Sequence, residues 1–222
     1  MKRQISLEEI SDGKLYDSND MVKAGCNDCK GCSDCCRGMG NSIVLDPLDI
    51  YRLTVGLQQD FETLLQDRLA LNAVDGIVLP NLKMTEEGEH CPFLNEEGRC
   101  SIHVFRPGLC RIFPLGRHYE NHSFRYFLQI HECSRNQTKV KVRKWIDTPE
   151  PAKNEQYIID WHYFLKALQA YAEQAEDEKL LRTLSMYVLK QFFITAYDTG
   201  RDFYEQFYER LREAKRALQM EE

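Results

Sequence analysis

Nine cysteines are the residues of this 222-residue chain that are best suited to chemistry. Five of them fall within eleven residues, in the run CNDCKGCSDCC that begins at Cys26. The other four stand further along the chain, at Cys91, Cys100, Cys110 and Cys133. Structural disulfides belong mainly to small secreted domains, whereas clustered thiolates bind soft metals. The pattern therefore predicts a metal or iron–sulfur site rather than a disulfide framework.

The spacing of the first cysteines explains how they would share a metal. A Cys-x-x-Cys step lets one tight turn aim two thiolates at the same centre, and both tetrahedral zinc and a cubane iron–sulfur cluster take four cysteines. Five adjacent cysteines therefore exceed what one centre needs. Because Cys35 and Cys36 are neighbours, we expect their side chains to diverge and to serve different metals, unless one is a spare. Nine cysteines suffice for two four-cysteine sites, with one cysteine left over.

Four blocks of sequence carry a family resemblance. They are CKGCSDCC at 29–36, CPFL at 91–94, CSIH at 100–103 and RPGLCRIFP at 106–114. In this order they resemble the YkgJ-type cysteine-cluster family, which carries a CxxCxxCC motif and is described as a zinc- or iron-chelating domain. The resemblance covers roughly residues 26–135 and implies metal or iron–sulfur binding, without indicating a substrate.

The resemblance also implies a set of metal ligands by position. Its members in this chain are Cys29, Cys32, Cys35, Cys36, Cys91, Cys100 and Cys110, with Cys133 as the candidate eighth. A competing register begins at Cys26 and has the C-x-x-C-x-x-C-x-x-x-C spacing of a bacterial ferredoxin, although Arg37 stands where that motif has proline. We prefer the family register because the downstream blocks support it. Cys26 is then a spare or an alternative ligand.

Some polar residues beside the cysteines are weaker candidates. His90 and His131 each lie within two residues of a cysteine and could replace one as a ligand, although a surface or hydrogen-bonded histidine is the commoner case. Arg106 and Arg111 flank Cys110 and could donate hydrogen bonds to thiolates, with surface salt bridges as the equal alternative.

Charge and hydropathy exclude several classes of function. The formal net charge of −6 leaves no basic surplus for nucleic-acid phosphates. No apolar run approaches the roughly 18–20 residues of a membrane-spanning helix, and the polar first residues lack the apolar segment of a signal peptide. We therefore expect no nucleic acid, no membrane and a cytoplasmic location. No phosphate-binding loop, dinucleotide fingerprint or nucleophile–base pair stands out.

The elements that position the cysteines predict an α+β fold that is mainly α. Asp46 followed by Pro47 starts a helix that ends near Gly56, and a second helix, with Leu69 at helical spacing, runs from Asp60. Short strands are expected at 77–82, 91–94 and 124–130, with a turn at 95–98. Together they form an irregular, metal-stapled cysteine layer with short strands, packed on helices.

The chain divides into three predicted parts. These are a polar lead-in over 1–25, a cysteine-cluster metal-binding domain over 26–147 and a C-terminal helical region over 148–222. In the last part, apolar and aromatic residues recur at three- and four-residue intervals, as at Trp161, Phe164 and Leu168. Such a stripe is more often core than a surface for a partner protein.

These observations predict a metal-binding protein with one or two thiolate-ligated centres. An iron–sulfur cluster of the 4Fe–4S type and Zn²⁺ both fit the ligands, and the density of thiolates without histidine slightly favours the cluster. One alternative is a metal- or cluster-dependent redox or group-transfer enzyme that uses a cleft against the helical region. Another is a zinc-stapled interaction module whose C-terminal helices bind a protein partner.

Overall fold

The computed structural model describes residues 6–26, 32–86, 89–133, 135, 138–175, 178–218 and 220. Cys29, a predicted metal ligand, lies outside the described residues. Within them the chain has an α+β fold that is mainly α, as predicted, with short antiparallel strand pairs and a helical C-terminal part. A helix that combines the length and the apolarity needed to cross a membrane is absent from these residues.

The helices follow one another along the whole described chain. They are α1 Leu7–Ile10, α2 Pro47–Leu57, α3 Phe61–Asp67, α4 Gly108–Ile112, α5 Val142–Ile146, α6 Pro151–Ala175, α7 Glu178–Leu189 and α8 Phe203–Ala217. Short 3₁₀ turns cover Asp34–Cys36 and His103–Phe105, and a π-helical turn at Lys190–Ile194 ends α7. The helices at 47–57 and 61–67 confirm the two predicted from Asp46–Pro47 and Asp60.

The strands form two-stranded antiparallel ribbons. They are β1 Met21–Gly25, β2 Leu69–Val74, β3 Ile77–Leu82, β4 Leu115–Glu120, β5 Ser123–Leu128 and β6 Thr138–Lys141. Among the described residues, β1 pairs with β6, β2 with β3, and β4 with β5. The ribbon of β1 and β6 joins the predicted lead-in to the segment after Cys133, so the two ends of the cysteine region meet in space.

The strand predictions are confirmed in part. The predicted strand at 77–82 is confirmed with the same bounds, and the strand predicted at 124–130 corresponds to Ser123–Leu128. Leu69 begins β2 rather than extending a helix, because Asp75 and Gly76, at φ 47° and 89°, make a tight turn that returns the chain as a hairpin. Residues 91–94 form a turn rather than a strand, since Pro92 has no N–H to donate to a partner strand.

The start of α2 is held by an internal polar network. Asp46 is the N-cap residue: its side chain accepts a hydrogen bond from the Asp49 N–H at 2.9 Å, and Asp49 accepts one from the Asp46 N–H at 3.2 Å. The buried hydroxyl of Tyr157 on α6 donates to Asp46 Oδ1 and accepts from the Leu48 N–H, both at 3.0 Å. This network locks α6 to the N-terminus of α2 and so fixes the element that supports the cysteine region.

The C-terminal helices complete the main hydrophobic core. One cluster joins Leu53 of α2 and Leu82 of β3 with Phe207 of α8 and residues of α6 and α7. Trp161 and Phe164 are buried, so this part of the apolar stripe is core. A smaller cluster lies under β1, β5 and α5. The main cluster contains residues on both sides of position 148, and the predicted domain boundaries stay predictions.

Candidate metal centre

Six of the eight described cysteines line one small cavity of about 60 Å³. They are Cys32, Cys35, Cys36, Cys91, Cys100 and Cys110. A single water needs at least about 10–15 Å³ on this measure, so the cavity holds several atoms but no organic molecule of ordinary size. Residues far apart in sequence therefore converge where the CxxCxxCC motif and the downstream cysteines were expected to meet.

Main-chain hydrogen bonds tie the first cysteines to Cys91. The 3₁₀ turn at Asp34–Cys36 closes with a bond of 2.9 Å from the Cys36 N–H to the Ser33 carbonyl. The Cys36 carbonyl then accepts the Cys91 N–H at 2.7 Å, and Arg37 pairs with His90 as an isolated antiparallel bridge. The loop and the 90–91 segment thus form a short two-strand contact that sets their thiols side by side.

A compact turn connects Cys91 to Cys100. The Leu94 N–H donates to the Cys91 carbonyl at 3.0 Å, and Leu94 forms an isolated antiparallel bridge with Cys100. The predicted turn at 95–98 is confirmed by the bond of 3.0 Å from the Gly98 N–H to the Asn95 carbonyl. The turn returns the chain so that both cysteines face the same cavity.

The helix α4 brings in Cys110. Its first residue, Gly108, donates its N–H to Asp49 Oδ1 at 2.7 Å, which anchors α4 to α2. The Arg111 guanidinium donates hydrogen bonds to the carbonyls of Asp147 and Val104, at 3.1 and 2.8 Å, rather than to the thiols. Arg106 does face the site, since it lines the cavity and bonds to His103.

Burial governs the charge state of the thiols. It raises the pKa of Cys91 to about 11 and raises those of Cys100 and Cys110, whereas a hydrogen bond with Cys36 is the main cause of the raised pKa of Cys35. The charges of these thiols also raise one another's pKa, and Arg106 lowers the pKa of Cys35 and Cys100. Four thiolates in this cavity would therefore require a bound cation, whose positive charge would favour the deprotonated thiols and lower their pKa.

Cys35 and Cys36 differ from expectation. Their side chains were expected to diverge, as on a strand, but both line the cavity and the two thiols are hydrogen-bonded. The physical reason is the 3₁₀ turn, whose tight backbone does not alternate side chains between two faces.

Other predicted residues lie elsewhere. Cys133 and the alternative ligand Cys26 are not among the residues that line the cavity, and neither is His131. His90 places Nδ1 3.1 Å from the Cys91 carbonyl oxygen. As placed, no three His, Cys, Asp or Glu side chains in the described part of the chain, which omits Cys29, are arranged to hold a single ion.

The remaining cavity wall was not predicted from the sequence. Met39 and Met84 add thioether groups, and Arg99 and His103 add polar groups at the rim. Only the position of Arg99 beside Cys100 gave a sequence signal. A donor set of thiols with almost no competing oxygen or nitrogen fits a soft centre, either zinc or an iron–sulfur cluster.

Comparison with known proteins gives one match. A family model, CxxCxxCC, described as "putative zinc- or iron-chelating domain", matches residues 28–142, which is just over half of the chain. Neither the curated proteins nor the solved structures provide a match. The matched range contains all six cavity cysteines and Cys133, and it begins after Cys26.

Proposed function

Because the chain belongs to the CxxCxxCC family of zinc- or iron-chelating domains, we propose that it holds a thiolate-ligated inorganic centre in the cysteine-lined cavity. The observation that carries this proposal is the convergence of six thiols on one space of about 60 Å³. Metal binding explains this part-buried cluster of thiols better than packing does, because the reactivity of a cysteine usually matters more than its packing.

Four thiols are the first candidates for ligands. Cys35, Cys91, Cys100 and Cys110 influence one another electrostatically, which requires them to be close together within the protein. Cys32 and Cys36 line the same cavity and provide further ligands. Cys29 and Cys133 complete the family-based set and stay predictions, as does a second centre.

An iron–sulfur cluster is our preferred centre, and zinc is the alternative. The cavity has room for several atoms, whereas a zinc ion is enclosed by four sulfurs at about 2.3 Å. A cluster of the 4Fe–4S type takes four cysteines and would supply one-electron transfer when bound. Zinc enclosed by four thiolates would serve folding instead.

The two alternative functions receive unequal support. A larger cleft shares Met39 and Ile43 with the cysteine cavity, which favours a metal- or cluster-dependent enzyme as the second candidate. The interaction module is less favoured, because Trp161 and Phe207, which would have formed part of its docking stripe, are buried in the core. A protein partner at the C-terminal helices stays a prediction.

Metal analysis of protein purified without exposure to air tests the proposal. We expect about four iron and four labile sulfide per chain, with a visible absorption that bleaches on reduction. A colourless protein with stoichiometric zinc would show that the centre is zinc and not an iron–sulfur cluster. A folded protein that contains neither metal, and takes up neither after reconstitution, would refute the proposed function.

A further inference from the structure

A second, much larger cavity of about 560 Å³ lies next to the cysteine cavity. Met39 and Ile43 line both cavities, so these two side chains form part of the wall between them. The volume falls within the roughly 300–1,000 Å³ range of small-molecule sites. The large cavity, called the cleft below, therefore suits an organic molecule, which the cysteine cavity does not.

The cleft is lined mainly by apolar and aromatic side chains. They include Ile10, Ile43, Phe113, Phe127, Trp161 and Leu165. They come from α1, the segment before α2, α6 and the region around β4 and β5, so the cleft exists only in the assembled fold. A wall of this kind binds the hydrocarbon body of a ligand by removing apolar surface from water.

Arg117 is the polar group in the cleft with unused bonding capacity. A guanidinium has five N–H donors, and that of Arg117 lies near Tyr119 and Tyr126 and 5.5 Å from the centroid of the Phe124 ring. Its Nε is buried and has no hydrogen-bond partner. Across the described residues the half-buried Arg117 forms no salt bridge within 4.0 Å.

Three carboxylates line the cleft, and none forms a salt bridge with Arg117 among the described residues: Glu132 is an exposed residue, and the other two are bonded elsewhere. Asp46 and Asp49 line the cleft, but their oxygens already accept bonds from each other's N–H, from the Tyr157 hydroxyl and from the Gly108 N–H. Asp46 acts on Arg117 only at longer range. An anionic group brought by a ligand would give this guanidinium the close partner that the protein does not supply.

We propose that the cleft binds a small amphipathic organic acid, with its carboxylate at Arg117 and its apolar body along the walls towards Met39 and Ile43. Such a ligand matches the volume and the apolar lining of the cleft, and its carboxylate would give the Arg117 guanidinium a partner. The apolar body of the ligand would end beside the cysteine cavity, where a substrate would lie if the protein were the metal- or cluster-dependent enzyme named above as the second candidate. Binding itself does not depend on the centre in that cavity.

Equilibrium dialysis with decanoate and 1-decanol tests the proposal on the full chain. The two probes share their hydrocarbon body and differ in charge. We expect one decanoate to bind per chain, at least about tenfold more tightly than decanol, because a hydrogen bond to a charged group contributes about that much. Arg117→Met is expected to lower decanoate affinity by roughly 10- to 100-fold and to leave decanol binding unchanged.

Two further variants make the test independent of any one substitution. Arg125→Met removes an exposed arginine of the same ribbon outside the cleft and is expected to change nothing. Leu165→Trp narrows the cleft and is expected to weaken binding of both probes. Equal affinity of the wild-type protein for both probes, or a decanoate affinity that Leu165→Trp leaves unchanged, would overturn the proposal. Metal content measured in the same samples reports separately on the proposed centre.

Discussion

Replacing Cys110 with alanine is expected to remove the metal from the purified protein, whereas replacing Cys133 with alanine is expected to leave the cavity's centre in place. Cys110 is carried into the cavity by α4, and Cys133 is not among the residues that line it. A four-thiolate site has about 10–16 kcal/mol of apparent binding free energy, so the loss of one ligand lowers metal affinity by roughly a hundredfold or more.

The comparison is made by metal analysis of both variants, purified side by side without air. Circular dichroism and thermal unfolding check that each variant is folded, and Cys26→Ala is a second control because Cys26 also lies outside the cavity lining. Retention of full metal content by the Cys110→Ala variant would show that Cys110 is not a required ligand. Loss of all metal from the Cys133→Ala variant would show that the cavity alone does not define the site.

Stability is expected to fall by about 1–2 kcal/mol between pH 6.5 and 8. Burial and the neighbouring Asp46 carboxyl raise the pKa of Asp49 to about 8, well above that of an unfolded aspartate. The folded state therefore holds a proton that the unfolded chain has lost, and this contribution to stability disappears as the pH rises through 8.

Below pH 6.5 a second group, His162, opposes the effect of Asp49 on stability. Burial lowers the pKa of His162 to about 4, so the folded state keeps this ring neutral while the unfolded chain binds a proton below about pH 6.5. The contribution of His162 is present above pH 6.5 and is lost as the pH falls towards 4. Between about pH 4 and 6.5 the stability that His162 contributes with rising pH offsets the stability that Asp49 loses, so stability is expected to be level there and to fall above pH 6.5.

Urea unfolding at pH 6.5 and 8 measures the basic side of this profile. Asp49→Asn is expected to flatten the decrease, because the titrating carboxyl is gone and Asp46 loses its charged neighbour. Asp60→Asn is the matched control: Asp60 is an exposed N-cap with a lowered pKa, and asparagine caps a helix equally well. A slope in the Asp49→Asn variant as steep as in the wild type would contradict the assignment.

Local signals made much of the fold predictable. Asp46–Pro47 and Asp60 mark helix starts through bonds to residues within one turn, and both predictions are confirmed. The strand β2 was missed although Asp75–Gly76 is a hairpin signal, because Leu69 also fitted the helical spacing before it. The pairing of β1 with β6 joins segments more than a hundred residues apart. The sequence of one short strand does not indicate which distant strand it pairs with.

The candidate site was also predictable only in part. The cysteines of the motif and downstream blocks were identified by type and spacing, and six of them line the cavity. That Cys133 is not among the lining residues could not be read from its spacing in the sequence. The cleft beside Arg117 had no sequence signal, because its walls come from several segments between Leu7 and Leu165 that are far apart in sequence.

X-ray absorption at the metal edge tests most directly whether these cysteines hold an inorganic centre. The measurement uses the full chain, purified without air, and counts the atoms bonded to the metal. We expect sulfur alone, with about four sulfur atoms on each metal atom for either zinc or an iron–sulfur cluster. Nitrogen or oxygen atoms as the main ligands of a stoichiometric metal would contradict a centre held by the thiols of this cavity.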